Sequence, residues 1–328
     1  MKALWFWVSV FAAALTIFTG LCWLDIRPEP TLYSATADGN IKQVKHQLDT
    51  GVDVNALDKD RLSPLMYAVQ AGQLMTMELL LTAGADVNLA GQKSNVALHL
   101  AALQSDPRLT ERLISAGAAL DRLNAEGASP LCLAVQANHS AAEVLIKAGA
   151  STGTDTCQNG NHLFEAAQSG YLTILRVLLE HGSDVNAQSK NGATALHYAV
   201  NRGRTEAVNL LLDHGAKVDV QDRNGWTPLY HAVRGNQSDV VTVLLDHKAG
   251  LEIRDTEGRT PLLLAAQDGQ SDLFEKLARN GADIDAKSSS GQTALDLASA
   301  NRHLGIAAFL ADYRRELKVR RQNSAAQF

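Results

Sequence analysis

A unit of about 33 residues recurs along most of this chain, and it restricts the fold more than any other sequence feature. Residues 191–220 read NGATALHYAVNRGRTEAVNLLLDHGAKVDV, and residues 224–253 read NGWTPLYHAVRGNQSDVVTVLLDHKAGLEI. Counted from Thr194 and Thr227, equivalent positions fall at 30, 63, 96, 129, 161, 194, 227, 260 and 293, with a step of 33 everywhere except one step of 32. Such a period is typical of proteins built from stacked repeats.

Every one of the nine copies keeps a leucine and an alanine at fixed places. The leucine comes two residues after the start position, at Leu32, Leu65, Leu98, Leu131, Leu163, Leu196, Leu229, Leu262 and Leu295. The alanine comes three residues later, at Ala35, Ala68, Ala101, Ala134, Ala166, Ala199, Ala232, Ala265 and Ala298. This pattern predicts one apolar anchor and one close helix contact per copy. No copy can bury that face alone, so the copies must stack.

Start and stop signals divide each copy into two helices. A hydroxyl residue precedes a proline at Ser63-Pro64, Ser129-Pro130, Thr227-Pro228 and Thr260-Pro261, which predicts an N-cap followed by the first helical residue. One glycine set ends the first helix, at Gly39, Gly72, Gly170, Gly203 and Gly269, with Asn138 and Asn236 as substitutes. A second set ends the second helix, at Gly51, Gly84, Gly117, Gly149, Gly182, Gly215 and Gly281, and Lys248 replaces it in the seventh copy.

These motifs resemble the ankyrin repeat family, whose unit begins T-P-L-H and ends G-A-D-V-N. Residues 227–230, 194–197 and 84–88 carry the resemblance best, and it covers Pro30 to about Asp312. The resemblance implies an all-α solenoid of about nine helix-turn-helix units with short β-hairpin tips. We therefore expect three regions: an N-terminal segment at 1–29, the repeat array at 30–312, and a basic tail at 313–328.

The N-terminal segment has the composition of a membrane helix. Ala3–Leu24 contains 22 residues without a charge, and a helix of that length crosses a bilayer of about 30 Å. Tryptophans lie near its ends, at Trp5, Trp7 and Trp23. Lys2 precedes it and Asp25 follows it, so the repeats are expected outside the cytoplasm, most simply in the periplasm. The alternative is a cleaved signal sequence and an exported protein.

The tail and the overall composition bound the partners. The tail carries five basic residues and one acidic residue, which predicts a polar helical cap, with membrane phosphate or an acidic partner as the alternative. The net charge of -5 disfavours nucleic acid. Three cysteines are too few for a disulfide scaffold; Cys132 and Cys157 either pair or stay as buried thiols. The sequence contains no phosphate-loop, zinc-protease or serine-hydrolase motif, and we expect neither catalysis nor a cofactor.

The positions of the histidines in the repeat predict structural roles for them. His181, His214 and His247 recur 33 residues apart, but neighbouring helices lie roughly 8 to 10 Å apart, too far for them to share one ion with bonds near 2 Å. We expect them to face the last carbonyls of their helices and to bind no metal. His99 and His197 occupy the histidine position of the T-P-L-H motif, where we expect them to brace loops.

A partner-binding surface is expected on repeats five to eight. In ankyrin-like proteins, partners contact the hairpin tips and the concave face of the first helices. The equivalent residues are Asn191, Asn201, Arg202, Arg223, Trp226, Arg234, Arg259 and Asp268. Trp and Arg most often dominate interface energetics. The sequence therefore predicts a monomeric protein-binding module, with a periplasmic immunity or sequestering protein as a specific hypothesis. An enzyme with an unrecognised site and a passive spacer are the alternatives.

Overall fold

The computed structural model describes residues 31–137, 140–153 and 161–325, and the side chains of the last helix as far as residue 319. The predicted membrane anchor at Ala3–Leu24, Asn138, Cys157 and the last three residues lie outside the described residues. Within the described ranges, no helix combines the length and the apolar composition needed to cross a bilayer.

Eighteen α-helices follow one another in pairs through the described residues. In the first two repeats they are α1 (Leu32–Ala37), α2 (Ile41–Asp49), α3 (Pro64–Gln70) and α4 (Leu74–Thr82). A 3-10 turn at Gln92–Ser94 precedes α5 (Ala97–Ala102), α6 (Pro107–Ser115), α7 (Pro130–Gln136), α8 (Ala141–Lys147), α9 (His162–Ser169) and α10 (Leu172–Glu180). The remaining helices are α11 (Ala195–Asn201), α12 (Thr205–Asp213), α13 (Pro228–Arg234), α14 (Ser238–Asp246), α15 (Pro261–Asp268), α16 (Ser271–Arg279), α17 (Ala294–Ala300) and α18 (Leu304–Ala325).

The chain divides between Gln92 and Lys93 into two compact units. In the first unit, α1 packs on α3 and α2 packs on α4. In the second unit the first helices of successive repeats pack on one another, from α5 through α7, α9, α11, α13 and α15 to α17. The expected helical repeat fold is therefore confirmed, and each unit is built from stacked helix pairs.

The leucine and alanine ladders form the core. The ladder alanines from Ala101 to Ala298 have no exposed surface, and Leu98, Leu131, Leu163, Leu196 and Leu229 are equally buried. Leu295, in the ninth repeat, keeps 36% of its surface exposed. Burial of a large apolar side chain contributes about 1.5 to 3 kcal/mol, so these ladders carry much of the stability.

The capping signals act as predicted. The hydroxyl oxygens of Ser63, Ser129, Thr227 and Thr260 each accept a hydrogen bond from the N–H three residues later, at 3.1 to 3.3 Å. Lys248 and Asn236 adopt the left-handed conformation that the glycines adopt elsewhere, with φ of 64° and 52°. Two of the three histidines in register also cap helices: His181 Nδ1 and His214 Nδ1 donate to carbonyls one turn earlier, both at 2.9 Å.

The expected β-hairpin tips are wrong in detail. We call the turn before each first helix the tip of that repeat, and among the described residues the tips contain no strand, only an isolated bridge between Lys287 and Thr293. Aspartate side chains take the place of hydrogen bonds between strands. The Oδ1 atoms of Asp58, Asp222 and Asp255 each accept hydrogen bonds from two backbone N–H groups of their own tip. The turns satisfy their donors locally, so no paired strand is required.

The last helix covers the end of the second unit. Helix α18 runs through the predicted tail boundary, and Tyr313 donates its hydroxyl to the carbonyl of Ala278 at 3.1 Å. The guanidinium of Arg279 lies 5.7 Å from the ring centre of Phe309 and 5.8 Å from that of Tyr313. These are the contacts of the predicted cap.

Cys132, on α7, is buried and disulfide-bonded. The alternative of a free buried thiol is therefore wrong for Cys132. The chain's two other cysteines, Cys22 and Cys157, lie outside the described residues.

Candidate functional site

A pocket of about 470 Å³ lies between the tips and the first helices of repeats six and seven, and we call it the tip pocket. Helix α11 supplies one wall and His231 of α13 part of another, while the tips of repeats six and seven form the rim. The lining residues are Asn191, Ala193, His197, Tyr198, Asn201, Asp222, Arg223, Asn224 and His231. The pocket is open to solvent and rich in polar groups, as a recognition surface requires.

The structure brings three of the predicted site residues together in this pocket: Asn191, Asn201 and Arg223. Arg202, Arg234 and Asp268 are exposed but do not line it. Trp226 and Arg259 are half-buried and make internal contacts. Half-burial at these two positions was not evident from sequence, because Trp226 packs on its own helix and Arg259 pairs with Asp255 of its own tip.

Trp226 differs from the expected solvent-facing aromatic. Its ring stacks on Tyr230 with 5.5 Å between ring centres and meets His231 edge to face at 5.2 Å. The guanidinium of Arg234 lies 4.3 Å from the Trp226 ring centre. A cation above an indole face is stabilised by the ring quadrupole. Arg234 is itself exposed, so this stack presents a rigid, amphipathic surface beside the tip pocket.

Arg259 is a structural residue of the repeat-eight tip. Its guanidinium donates to Asp255 Oδ2 at 2.8 and 2.9 Å and lies 3.1 Å from Glu257. The Asp255 side chain is fully buried, and 18% of the Arg259 side chain is exposed. Truncation of one member of such a buried pair costs several kcal/mol because the other charge is left uncompensated. The assignment of Arg259 to the binding surface therefore gives way to a role in holding the tip.

Asp222 and His231 form a contact that the sequence analysis missed. His231 Nε2 lies 3.0 Å from Asp222 Oδ2, and both side chains are nearly buried. Burial by itself raises the pKa of Asp222, but N–H donors from Trp226 and Asn224 and the His231 ring outweigh it, so the pKa lies below its ordinary value. The sequence does show that Asp222 occupies the same tip position as Asp58 and Asp255. The motif does not show that Asp222 pairs with His231, the fifth residue of the repeat.

His197 joins two repeats, as predicted for the motif histidine. Its Nδ1 accepts from the backbone N–H of Thr194 at 3.1 Å, and its Nε2 donates to the carbonyl of Trp226 at 3.2 Å. Burial lowers the pKa of His197 to about 4, against an ordinary value of 6.5. The ring is therefore neutral near pH 7. His99 makes the same pair of contacts, with Val96 and with Ala128.

A family model described as ankyrin repeats in three copies matches residues 20–91, 98–189, 163–255 and 247–323. Relatives share parts of the chain. The nuclear factor NF-kappa-B p105 subunit of Gallus gallus is 32% identical over 37% of this chain and 13% of its own length. The ankyrin repeat and KH domain-containing protein mask-1 of Caenorhabditis elegans is 32% identical over 48% of this chain and 6% of its own length.

A third relative is an ion channel protein. The transient receptor potential cation channel subfamily A member 1 homologue of Caenorhabditis elegans is 30% identical over 33% of this chain and 9% of its own length. In each of these proteins the matched stretch is a small fraction of the whole, so what they share with this chain is the repeat array. The family model matches most of this chain, and the structure consists of stacked helix pairs. This chain therefore belongs to the ankyrin repeat family, whose repeats mediate protein–protein interaction.

Proposed function

We propose that this chain is a non-enzymatic module that binds one protein partner through the tips and first helices of repeats five to eight. The observation that carries the proposal is the stack of Arg234 on Trp226 beside the tip pocket. It combines the two residue types that most often dominate interface energetics, and internal contacts already fix its geometry. Little side-chain ordering remains to be done on binding, which favours affinity.

The partner contacts come from the exposed members of the surface. Asn191, Asn201 and Arg223 line the pocket, and Arg202, Arg234 and Asp268 extend the exposed surface. Arg259 shapes the neighbouring tip from within. The binding surface is braced from beneath by two buried pairs, Asp222 with His231 and Asp255 with Arg259.

We place this module outside the cytoplasm, held there as a monomer by the N-terminal apolar segment. The uncharged run at residues 3–24 and the disulfide at Cys132 support this location, since disulfides persist in oxidising compartments such as the periplasm. Alkaline phosphatase, which is active only after export, provides the test when fused after residue 328. Activity from the full-length fusion and none after deletion of residues 3–24 is the expected result. Activity from neither fusion would contradict the location.

Within this location we propose a specific role, that of an immunity or sequestering protein which occupies one partner and withholds its activity. A rigid surface without catalytic groups suits such a role. Deletion of the gene is expected to sensitise the host to a toxin encoded beside it or delivered by neighbouring cells. Unchanged toxin sensitivity after deletion would rule out immunity, while leaving partner binding intact.

The binding surface itself is tested by pull-down from the native host. The full chain is the bait, compared with a Trp226→Ala, Arg234→Ala double variant and with Arg176→Ala as a matched control, because Arg176 is exposed on α10 away from the tips. Loss of a binding hot spot costs about 2 kcal/mol or more, so the double variant is expected to lose a partner that the wild type and the control retain.

The other outcomes separate the alternatives. Equal recovery by all three baits would move the interface elsewhere on the array. No partner from any bait would favour a passive spacer. Turnover in a panel of hydrolase substrates would favour an enzyme instead.

A further inference from the structure

We propose that the partner inserts an acidic side chain, Asp or Glu, into the tip pocket, and that Arg223 receives its carboxylate. This inference rests on the proposed function, because it names the chemistry that the binding surface selects. Some charges around the pocket are compensated within the fold, and others are free for a partner.

The basic side chains around the pocket are free. Arg223 lines it, and Lys190 and Arg202 lie in exposed positions next to the lining residues Asn191 and Asn201. Within the part of the chain that the structure describes, none of these three makes an ion pair. Arg234 adds a fourth exposed positive charge above Trp226. A guanidinium offers paired donors that match the two oxygens of a carboxylate.

The acidic side chain in the pocket wall is compensated. Asp222 Oδ1 accepts from the N–H groups of Asn224 and Trp226 at 2.8 and 3.0 Å, and Oδ2 contacts His231. Only 8% of the Asp222 side chain is exposed, so its charge faces the fold more than the pocket.

Asp222 is the only acidic residue among those that line the pocket, and the acidic residues of the adjacent tips and first helices lie outside it. Glu257 pairs with Arg259 in the repeat-eight tip, and Glu165 accepts from Ser169 in repeat five. Asp268 is exposed on α15 in repeat eight. The excess positive charge is local to the pocket: residues 189–202 and 221–234, its tips and first helices, hold four basic residues and one acidic residue, Asp222.

The pocket also offers uncharged donors. The side-chain amides of Asn191, Asn201 and Asn224 make no hydrogen bond to the rest of the described chain, and each carries two N–H donors. The Tyr198 ring is fixed by stacking on Phe164 at 5.1 Å between ring centres, with its hydroxyl unpaired in the described structure. Unpaired donors beside an arginine form a site that favours an anion over an amide or an apolar group.

The test uses a defined acidic probe and the full-length chain in detergent. A fluorescein-labelled hexaglutamate peptide and its hexaglutamine analogue are titrated by fluorescence anisotropy. The wild type is expected to bind hexaglutamate more tightly than hexaglutamine, with an affinity that falls as salt is raised. Arg223→Glu and the nearly isosteric Asn201→Asp are each expected to weaken hexaglutamate binding by about tenfold, since a like charge then meets the carboxylate.

Arg176→Glu is the matched control, because it introduces the same change in net charge at an exposed position on α10. Its affinity for hexaglutamate is expected to fall less than twofold. Equal binding of the two peptides by the wild type would overturn the proposal, and so would an equal loss in Arg176→Glu and Arg223→Glu, which would indicate only diffuse charge attraction. Circular dichroism melting verifies that the variants are folded. The host pull-down tests partner binding separately. A partner recovered equally by the wild type and by Arg223→Glu would contradict the proposal of an acidic side chain in the pocket, but it would not contradict partner binding.

Discussion

His197 and Tyr230 occupy the same position in repeats six and seven, yet they hold the tip of the following repeat in different ways. His197 donates to the carbonyl of Trp226 at 3.2 Å, whereas Tyr230 donates to the Asp255 carboxylate at 2.7 Å. His197 bonds a backbone carbonyl, so the side chains of the repeat-seven tip remain available for other contacts. The tyrosine takes up the tip's own carboxylate.

This difference decides what each tip can do. In the repeat-eight tip, Asp255 also binds Arg259, so the tip arginine is compensated within the fold. In the repeat-seven tip, Asp222 binds His231, and Arg223 stays exposed at the pocket. The same backbone turn therefore forms an internal brace in repeat eight and leaves an exposed arginine at the pocket in repeat seven.

The largest expected effect is loss of the repeat-eight brace. Asp255→Ala removes two backbone caps and leaves the Tyr230 hydroxyl and the Arg259 guanidinium without their carboxylate. We expect the free energy of unfolding to fall by about 3 to 4 kcal/mol, measured by urea denaturation. Asp285→Ala is the control: its ion pair with Arg314 is exposed, and we expect a loss below about 1 kcal/mol. Similar losses of unfolding free energy in the two variants would show that the buried contacts of Asp255 contribute no more than an exposed ion pair.

A second effect separates the two tips by pH. The pKa of His197 is lowered by burial to about 4 from 6.5, so the unfolded chain binds a proton that the folded ring refuses between these values. Stability is therefore expected to fall as pH drops from about 6.5 to about 4, by up to about 3 kcal/mol from this one residue.

The variant His197→Gln isolates that contribution. It is expected to be less stable at pH 7, since hydrogen bonds to Thr194 and Trp226 are lost or weakened, but to lose less additional stability on acidification. Thermal melting across this pH range measures the slopes. His162, whose pKa burial also lowers to about 4, titrates in both proteins and cancels in the comparison. Parallel slopes would mean that His197 does not control the acid response.

The smallest effect concerns the second-helix ends of the same two repeats. Lys248 and Gly215 occupy equivalent positions with φ of 64° and 85°, and a side chain in this left-handed region costs roughly 1 kcal/mol. Lys248→Gly is expected to raise the unfolding free energy by up to about 1 kcal/mol, and Gly215→Lys to lower it by a similar amount. A Cβ at Gly215 meets no atom within 4 Å, so the cost would be conformational. Opposite signs in chemical denaturation confirm this origin; a loss in both variants would contradict it.

Local patterns made the repeat fold predictable from sequence. The period, the leucine and alanine ladders, the Ser/Thr-Pro caps and the glycine stops each depend on neighbours within one repeat or on one recurring contact, so they can be counted along the chain. The candidate site was only partly predictable. Asn191, Asn201 and Arg223 were found because tip and helix positions are fixed by the period, whereas the buried partners of Arg259 and the stack on Trp226 were missed.

The sequence by itself determined the helix pairs, their boundaries and the residues that form the core, because backbone capping and apolar periodicity act over a few residues. Only the tertiary structure decided which exposed positions remain free. Asp222 and Asp255 occupy the same position of the same turn motif, but His231 takes one carboxylate while Tyr230 and Arg259 take the other. Side-chain pairing across and within repeats depends on distances of a few ångströms, and the repeat period does not encode those distances.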